Sequence, residues 1–404
     1  MITPLKADDH SALRQNPYII IGAGVQGLTF ALCLARKGLP VVLLERSGVL
    51  GGQARSFHYE GFTFDFGLHA FVTKNPRVEN FVREILGADL TSFYPRAASH
   101  WGGKKIVEDS SYWHVQNLHK KLYALLPKTE NREWSCMRIS KPPKIIYPRQ
   151  GGFGSIFQRM GKLLKKNGGR LMLETPVRAE HLVFIGRRLT HIKIGKTAYR
   201  VRGCYWSTGR PFVSDKKPQL KNSSRGARDV LLLYHFLARG RAPLPYHWIR
   251  LPETGGPLLP PLAYCPTHFS RRNAPPGHYS IGATIPILAA IKNRRLGSLS
   301  AWVRDNPKIL LHPTQNYLFR LGLLRPNDVI KSFSEAIALP SIALTAVERG
   351  AASKFENFWD ASNYTVHSHE ESGVSMQIES AMKALDSIHP CSGSANLGHS
   401  ITDT

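Results

Sequence analysis

The stretch that most constrains this chain covers residues 18–71 and opens Tyr18-Ile19-Ile20-Ile21-Gly22-Ala23-Gly24-Val25-Gln26-Gly27. A short apolar run reads as a buried strand and meets three glycines, the first two separated by one residue and the last two by two. A helical pattern follows over 28–37, Gly38 is placed to stop it, and a second apolar run over 41–44 ends on Glu45. Strand, glycine turn, helix and strand form the opening of a dinucleotide-binding unit. In such a unit Gly22 makes the tight turn, Gly24 lets backbone N–H groups approach a pyrophosphate, and Gly27 lets helix and strand pack closely. Glu45 lies eighteen residues after Gly27, where a carboxylate accepts both ribose hydroxyl protons.

The residues after Glu45 select among nucleotides. Glu45-Arg46 is followed by Leu50-Gly51-Gly52-Gln53-Ala54-Arg55-Ser56, then by Phe64-Asp65-Phe66-Gly67-Leu68-His69-Ala70-Phe71. A simple NAD dehydrogenase has no need of a second glycine pair there. FAD does, because the longer molecule runs on past its pyrophosphate and needs close backbone approach and an arginine near its phosphates.

These runs resemble the FAD-dependent amine oxidase superfamily, which includes protoporphyrinogen oxidase, phytoene desaturase and UDP-galactopyranose mutase. The run over 64–81, with Thr73-Lys74-Asn75-Pro76, is most similar to the protoporphyrinogen-oxidase-like and mutase-like members. The resemblance resumes at Tyr147-Pro148-Arg149-Gln150-Gly151-Gly152-Phe153-Gly154, ahead of a helical face marked by Ile156, Met160, Leu163 and Leu164. There it implies the family's second FAD segment, which ends at Thr175-Pro176-Val177, with the Val177 backbone against the adenine. A third block, Gly373-Val374-Ser375, implies a helix whose N-terminus faces the ribityl or pyrimidine end of the flavin. The resemblance thus implies FAD bound by Gly22, Gly24, Gly27, Glu45, Arg46, Gly51, Gly52, Gln53, Arg55, Gly67, Val177, Gly373, Val374 and Ser375.

The chain also departs from the family pattern. His367-Ser368-His369-Glu370-Glu371-Ser372 stands where relatives carry Gly-Asp or Gly-Arg, and 95–147 is short where relatives carry a helical insert over the substrate. Phe30 replaces a small residue behind the first helical turn and requires compensation in the strand it faces.

The predicted fold is α/β: a Rossmann-type FAD-binding domain and a discontinuous substrate domain built on an antiparallel sheet plus helices. A length of 404 residues suits two such units. The FAD-binding part is expected over 17–94, 147–213 and 340–386, and the substrate part over 95–146 and 227–339. Residues 1–16 read as a disordered lead-in without the apolar core of a signal peptide, and 387–404 as a disordered tail. Residues 214–226 read as a linker. Strand-like runs at 229–237, 246–251 and 279–283 fit the antiparallel sheet, while 294–324 and 328–342 look mainly helical.

Lys and Arg number 54 against 28 Asp and Glu, a formal charge of +26. Such a balance reflects either attraction to an anionic partner, such as nucleic acid, a phosphorylated substrate or a membrane surface, or a generally basic proteome; the expected partner is a small molecule, anionic or lipid-like. The cations are scattered and not interleaved with aromatics, so nucleic acid is not expected. Cys33, Cys136, Cys204, Cys265 and Cys391 show neither metal-ligand spacing nor a disulfide framework, and no apolar run spans a bilayer. A cytoplasmic protein is expected, with peripheral membrane contact left open.

No paired carboxylates or Ser-His-Asp pattern is visible, and a flavoenzyme needs none, since flavin N5 accepts the hydride. His69 is the candidate catalytic residue beside the flavin, with packing beneath the cofactor as its alternative role. The leading expectation is an FAD-dependent oxidoreductase acting on a C–C or C–N bond. A redox-neutral sugar mutase and a non-catalytic FAD-binding protein are the alternatives.

Overall fold

The structure, a computed structural model, describes residues 7–101, 105–108, 144–208, 230–251, 258–287, 302–338, 355–361 and 373–388. The linker at 214–226, the turn at 367–372 and the tail from 389 lie outside the described residues.

The Tyr18–Ile21 strand sits at the centre of a five-stranded parallel sheet. The strand order is Phe358–Asp360, Gly203–Trp206, Tyr18–Ile21, Val41–Leu44, Arg170–Met172. Side chains alternate across a strand, so Ile19, Ile21, Val42, Leu44 and Trp206 enter one core, and Tyr18, Ile20, Val41, Leu43 and Tyr205 the other. The first core is closed by a three-stranded antiparallel sheet, Leu182–Ile185, Arg188–Ile194 and Thr197–Arg200. The second is closed by the helices Val25–Arg36, Ser155–Lys166 and Gly373–Asp386. Burial on both faces is why the central strands read as unbroken apolar runs.

Phe30 finds the compensation its bulk demands. Its ring stacks on Tyr205 of the neighbouring strand, with centroids 3.9 Å apart and planes 7° from parallel. Gly203, on that same strand, makes room for Trp359, because a Cβ there would lie 2.7 Å from the indole.

A seven-stranded sheet forms the second layer, in the order Val329–Ala338, Val230–Arg239, His278–Ile287, Leu262–Tyr264, Trp248–Arg250, Ala97–Trp101, Lys105–Glu108. Its neighbours are antiparallel except Trp248–Arg250 with Ala97–Trp101, which are parallel. One face carries Leu232, Tyr234, Phe236, Ile281 and Ile285 and packs under the Leu311–Arg320 helix. The other presents Trp248, Leu262 and Tyr264 to the helical core of the first layer. Leu237 on that side meets Phe62 and Phe64 of the hairpin formed by Ser56–Tyr59 and Phe62–Asp65. The α/β architecture with one parallel and one largely antiparallel sheet is the one expected.

Two readings need correction. Residues 7–14, taken as lead-in, form the helix Ala7–Arg14: Leu13 is fully buried and Asp9 pairs with Arg170 at 2.6 Å. Within 328–342, expected to be helical, Val329–Ala338 is a strand, paired along nearly its whole length with Val230–Arg239. Over 95–147, where the sequence shows no helices matching the relatives' insert, the described elements are the strands Ala97–Trp101, Lys105–Glu108 and Ile145–Pro148, the last pairing with Leu90–Phe93.

Candidate functional site

The site grows from the end of the Tyr18–Ile21 strand. Gly22 turns the chain with φ of +99°, and a Cβ there would lie 2.2 Å from the Ser207 carbonyl oxygen. At Gly27 a Cβ would lie 1.9 Å from the Gly22 carbonyl oxygen, so helix and turn touch through bare backbone. Gly24 is different: a Cβ there meets nothing within 4 Å. It caps the Val25–Arg36 helix without a side-chain hydrogen bond, and no acidic residue sits in the first turn. The first amides of the helix therefore face open space, the arrangement that receives an anion.

The second glycine pair folds back onto this turn. The Gly51 N–H donates to the Ala23 carbonyl at 2.8 Å, and a Cβ on Gly52 would lie 3.2 Å from the Gly24 Cα. Just beyond, the Arg55 guanidinium stacks 4.4 Å over the Phe66 ring and has no carboxylate partner among the described residues. Arg46 is exposed at the same edge.

Glu45 is buried and already held. Its Oε2 accepts from the Ala23 N–H at 2.7 Å, and its Oε1 from the Ser47 N–H at 2.9 Å and the Ser47 hydroxyl at 2.8 Å. A carboxylate offers about four lone-pair directions, so three are used and one on Oε2 is open. Glu45 thus has room for one ribose hydroxyl without giving up a bond, not for the two expected. The Thr175 N–H donates to the Glu45 carbonyl at 2.8 Å, which brings Val177 to this edge.

His69 lies below the Gly67 turn and is tied to the second glycine segment. Its Nε2 is 2.9 Å from the Phe66 carbonyl and 3.2 Å from that of Gln53. Two carbonyl acceptors require the N–H on Nε2, which leaves Nδ1 as the acceptor atom. Burial lowers its pKa, against the opposing pull of Asp65, so the ring is neutral near pH 7.

The Gly373–Asp386 helix lies beside Val25–Arg36 and runs the same way. Asp386, at its C-terminal end, pairs with Arg77 at 2.7 Å, and both act electrostatically on Cys33 together with Arg36. The C-termini being together, the N-termini at Gly373 and Val25 share the end where the glycine turn lies. Val374 and Ser375 are buried there.

A buried polar network escaped the sequence reading. Asp65 Oδ1 accepts from the Ser56 hydroxyl at 2.5 Å and the Phe153 N–H at 2.9 Å, and Oδ2 accepts from the Tyr147 hydroxyl at 2.5 Å. Ser56 Oγ in turn accepts from the Gly154 N–H at 2.7 Å, and the Asn273 amide donates to Tyr147 at 3.1 Å. Desolvation raises the Asp65 pKa against these bonds, and desolvation with the neighbouring carboxyl drives Tyr147 well up. The network fastens the hairpin before Gly67, the Gly151–Gly154 turn and the antiparallel layer to one point. Asp65 and Tyr147 both stand inside the motif runs, but no spacing signal joins residues so far apart in sequence.

The donor set fits FAD: an open glycine turn at a helix N-terminus, a second close backbone approach, a carboxylate with a lone pair to spare, and an arginine without a carboxylate partner. Comparisons with known proteins agree. Residues 20–85 match the family described as NAD(P)-binding Rossmann-like domain. Over 75 residues the chain is 41% identical to the lycopene-forming phytoene desaturase of Pseudescherichia vulneris, a match covering 16% of this chain and 15% of that protein. In structure it is similar to reduced UDP-galactopyranose mutase, with a TM-score of 0.63 at 15% identity over 92% of this chain and 94% of that one. A putative protoporphyrinogen oxidase from Exiguobacterium sp. 255-15 gives a TM-score of 0.57 at 12% identity over 92% and 98%. The chain therefore shares the fold of these two structures.

Proposed function

We propose that this chain is a flavoprotein oxidoreductase that binds FAD along the edge running from Glu45 through the Gly22–Gly27 turn to Gly373. The carrying observation is the convergence of the two glycine turns, Gly52 backing onto Gly24, at an uncapped helix start beside Glu45. The amides after Gly24 receive the pyrophosphate, Arg46 and Arg55 supply positive charge beside it, and Glu45 accepts a ribose hydroxyl. Val177 borders the adenine, and the N-terminus of the Gly373 helix faces the far end of the flavin. FAD held here would supply a two-electron acceptor for the hydride of a C–H bond while the adjacent carbon or nitrogen loses a proton to solvent, so that a C–C or C–N bond of a small anionic or lipid-like substrate becomes a double bond. Neutral His69, pinned through Nε2, presents Nδ1 as a hydrogen-bond acceptor below the Gly67 turn.

The test begins with reconstitution. Purified protein should take up FAD and show the flavin absorption bands, and these should bleach under a substrate of the right class. Glu45→Ala should weaken FAD binding about tenfold or more, the worth of one charge-assisted bond, while the protein stays folded. An unchanged dissociation constant in the folded variant would refute the assignment of Glu45. A colourless protein that takes up no FAD would refute the reading as a whole.

A further inference from the structure

We propose that the outer face of the three-stranded sheet formed by Leu182–Ile185, Arg188–Ile194 and Thr197–Arg200 docks the protein on an anionic lipid bilayer. Leu182, Leu189, Ile192, Ile194 and Tyr199 fill the core beneath the parallel sheet. The register pairs Ile185 with Arg188, Val183 with His191, His191 with Arg200, and Lys193 with Ala198. These residues stand on the opposite face, and no carboxylate stands among them. Ile185, at one hairpin tip, is 69% exposed with Arg188 opposite it, while Lys193 and Arg200 are exposed farther along the same face and Lys196 at the other turn. Arg188 reaches Glu356 only at 3.9 Å, and Lys193, Lys196 and Arg200 make no ion pair with any described residue.

The chemistry of this face selects the occupant. A second copy would set like charges against each other. Single-stranded nucleic acid needs aromatic platforms, and here Phe184 turns toward Phe355 and Phe358 while Tyr199 bonds His10. A bilayer with acidic headgroups answers both features: the cations meet the surface potential and the β-branched tip enters the headgroup boundary. Each cation near such a surface raises partitioning roughly fivefold.

Cosedimentation of the full chain with vesicles tests this. Binding to phosphatidylcholine–phosphatidylserine vesicles of about 3:1 composition, lost in high salt and absent with phosphatidylcholine alone, is expected. Lys193→Gln with Arg200→Gln should lower the partition coefficient at least about tenfold, and Ile185→Ser should lower it further while salt sensitivity persists. Unchanged urea unfolding midpoints in these variants confirm their folding and keep this result independent of the flavin assignment. Failure of the full chain to bind anionic vesicles, or equal binding by the double variant, would overturn the proposal. So would binding of a single-stranded oligonucleotide that the same substitutions abolish while vesicle binding persists.

Discussion

At the scale of single residues, two glycines with one chemistry do different jobs. A methyl at Gly27 would stand 1.9 Å from the Gly22 carbonyl oxygen, where neither backbone segment can yield without parting helix from strand. A methyl at Gly24 meets no protein atom within 4 Å and would occupy only the approach to the helix amides. Gly24→Ala should therefore keep its urea midpoint and lose FAD affinity about tenfold or more. Gly27→Ala should lose stability by about 1–3 kcal/mol or fail to accumulate as soluble protein. Urea unfolding and flavin fluorescence titration read the two effects separately. Equal loss of stability in both variants would contradict the division of labour.

At the scale of elements, the Val25–Arg36 helix is fixed to the sheet by an aromatic stack in place of a small-residue contact. Phe30 is almost fully buried against Tyr205, so Phe30→Ala should cost about 3–5 kcal/mol in urea unfolding. A double-mutant cycle with Tyr205→Leu should return a coupling of about 0.5–1.5 kcal/mol. Zero coupling would mean that the two rings contribute burial alone. The need for a partner to Phe30 was legible in the sequence because the glycine turn fixes which strand the helix packs on; the partner's identity was not. The Val329–Ala338 strand was misread as helix for a related reason. Its Ser, Glu and Ala residues give a weak local preference, and pairing along nearly its whole length with Val230–Arg239 overrides it. The Asp65–Tyr147–Asn273 network was invisible on the same principle, since three separate segments must fold before those groups meet. The stretch from Tyr18 to Glu45 was legible because a complete supersecondary unit, with its backbone constraints, lies within one run of sequence.

At the scale of the molecule, the junction between hairpin and antiparallel sheet contains a group that links folding to pH. His235 is fully buried against the rings of Phe64 at 4.9 Å and Phe57 at 5.5 Å, and both its nitrogens lack a hydrogen-bond partner among the described residues. Desolvation lowers its pKa from 6.5 to about 3. The unfolded chain therefore takes up a proton near pH 6.5 while the folded chain does not until pH falls to about 3. Stability is full above the unfolded value and drains as pH falls through that window, by up to about 1.4 kcal/mol per pH unit from this group. His247, lowered to about 4 by burial with help from the charge of His268, acts in the same direction. Asp65 opposes them, since burial raises its carboxyl and makes its contribution decline as pH rises. His235→Leu isolates the first effect, because it keeps the volume, removes the unpaired nitrogens and leaves the other two groups in place. Its stability relative to the parent, measured by urea unfolding from about pH 7.5 down to about pH 5, should be level at the upper end and grow steadily below pH 6.5. A difference that stays constant across this range would show that His235 is protonated in the fold, which requires a partner inside the hairpin–sheet junction that its packing among aromatic rings does not provide.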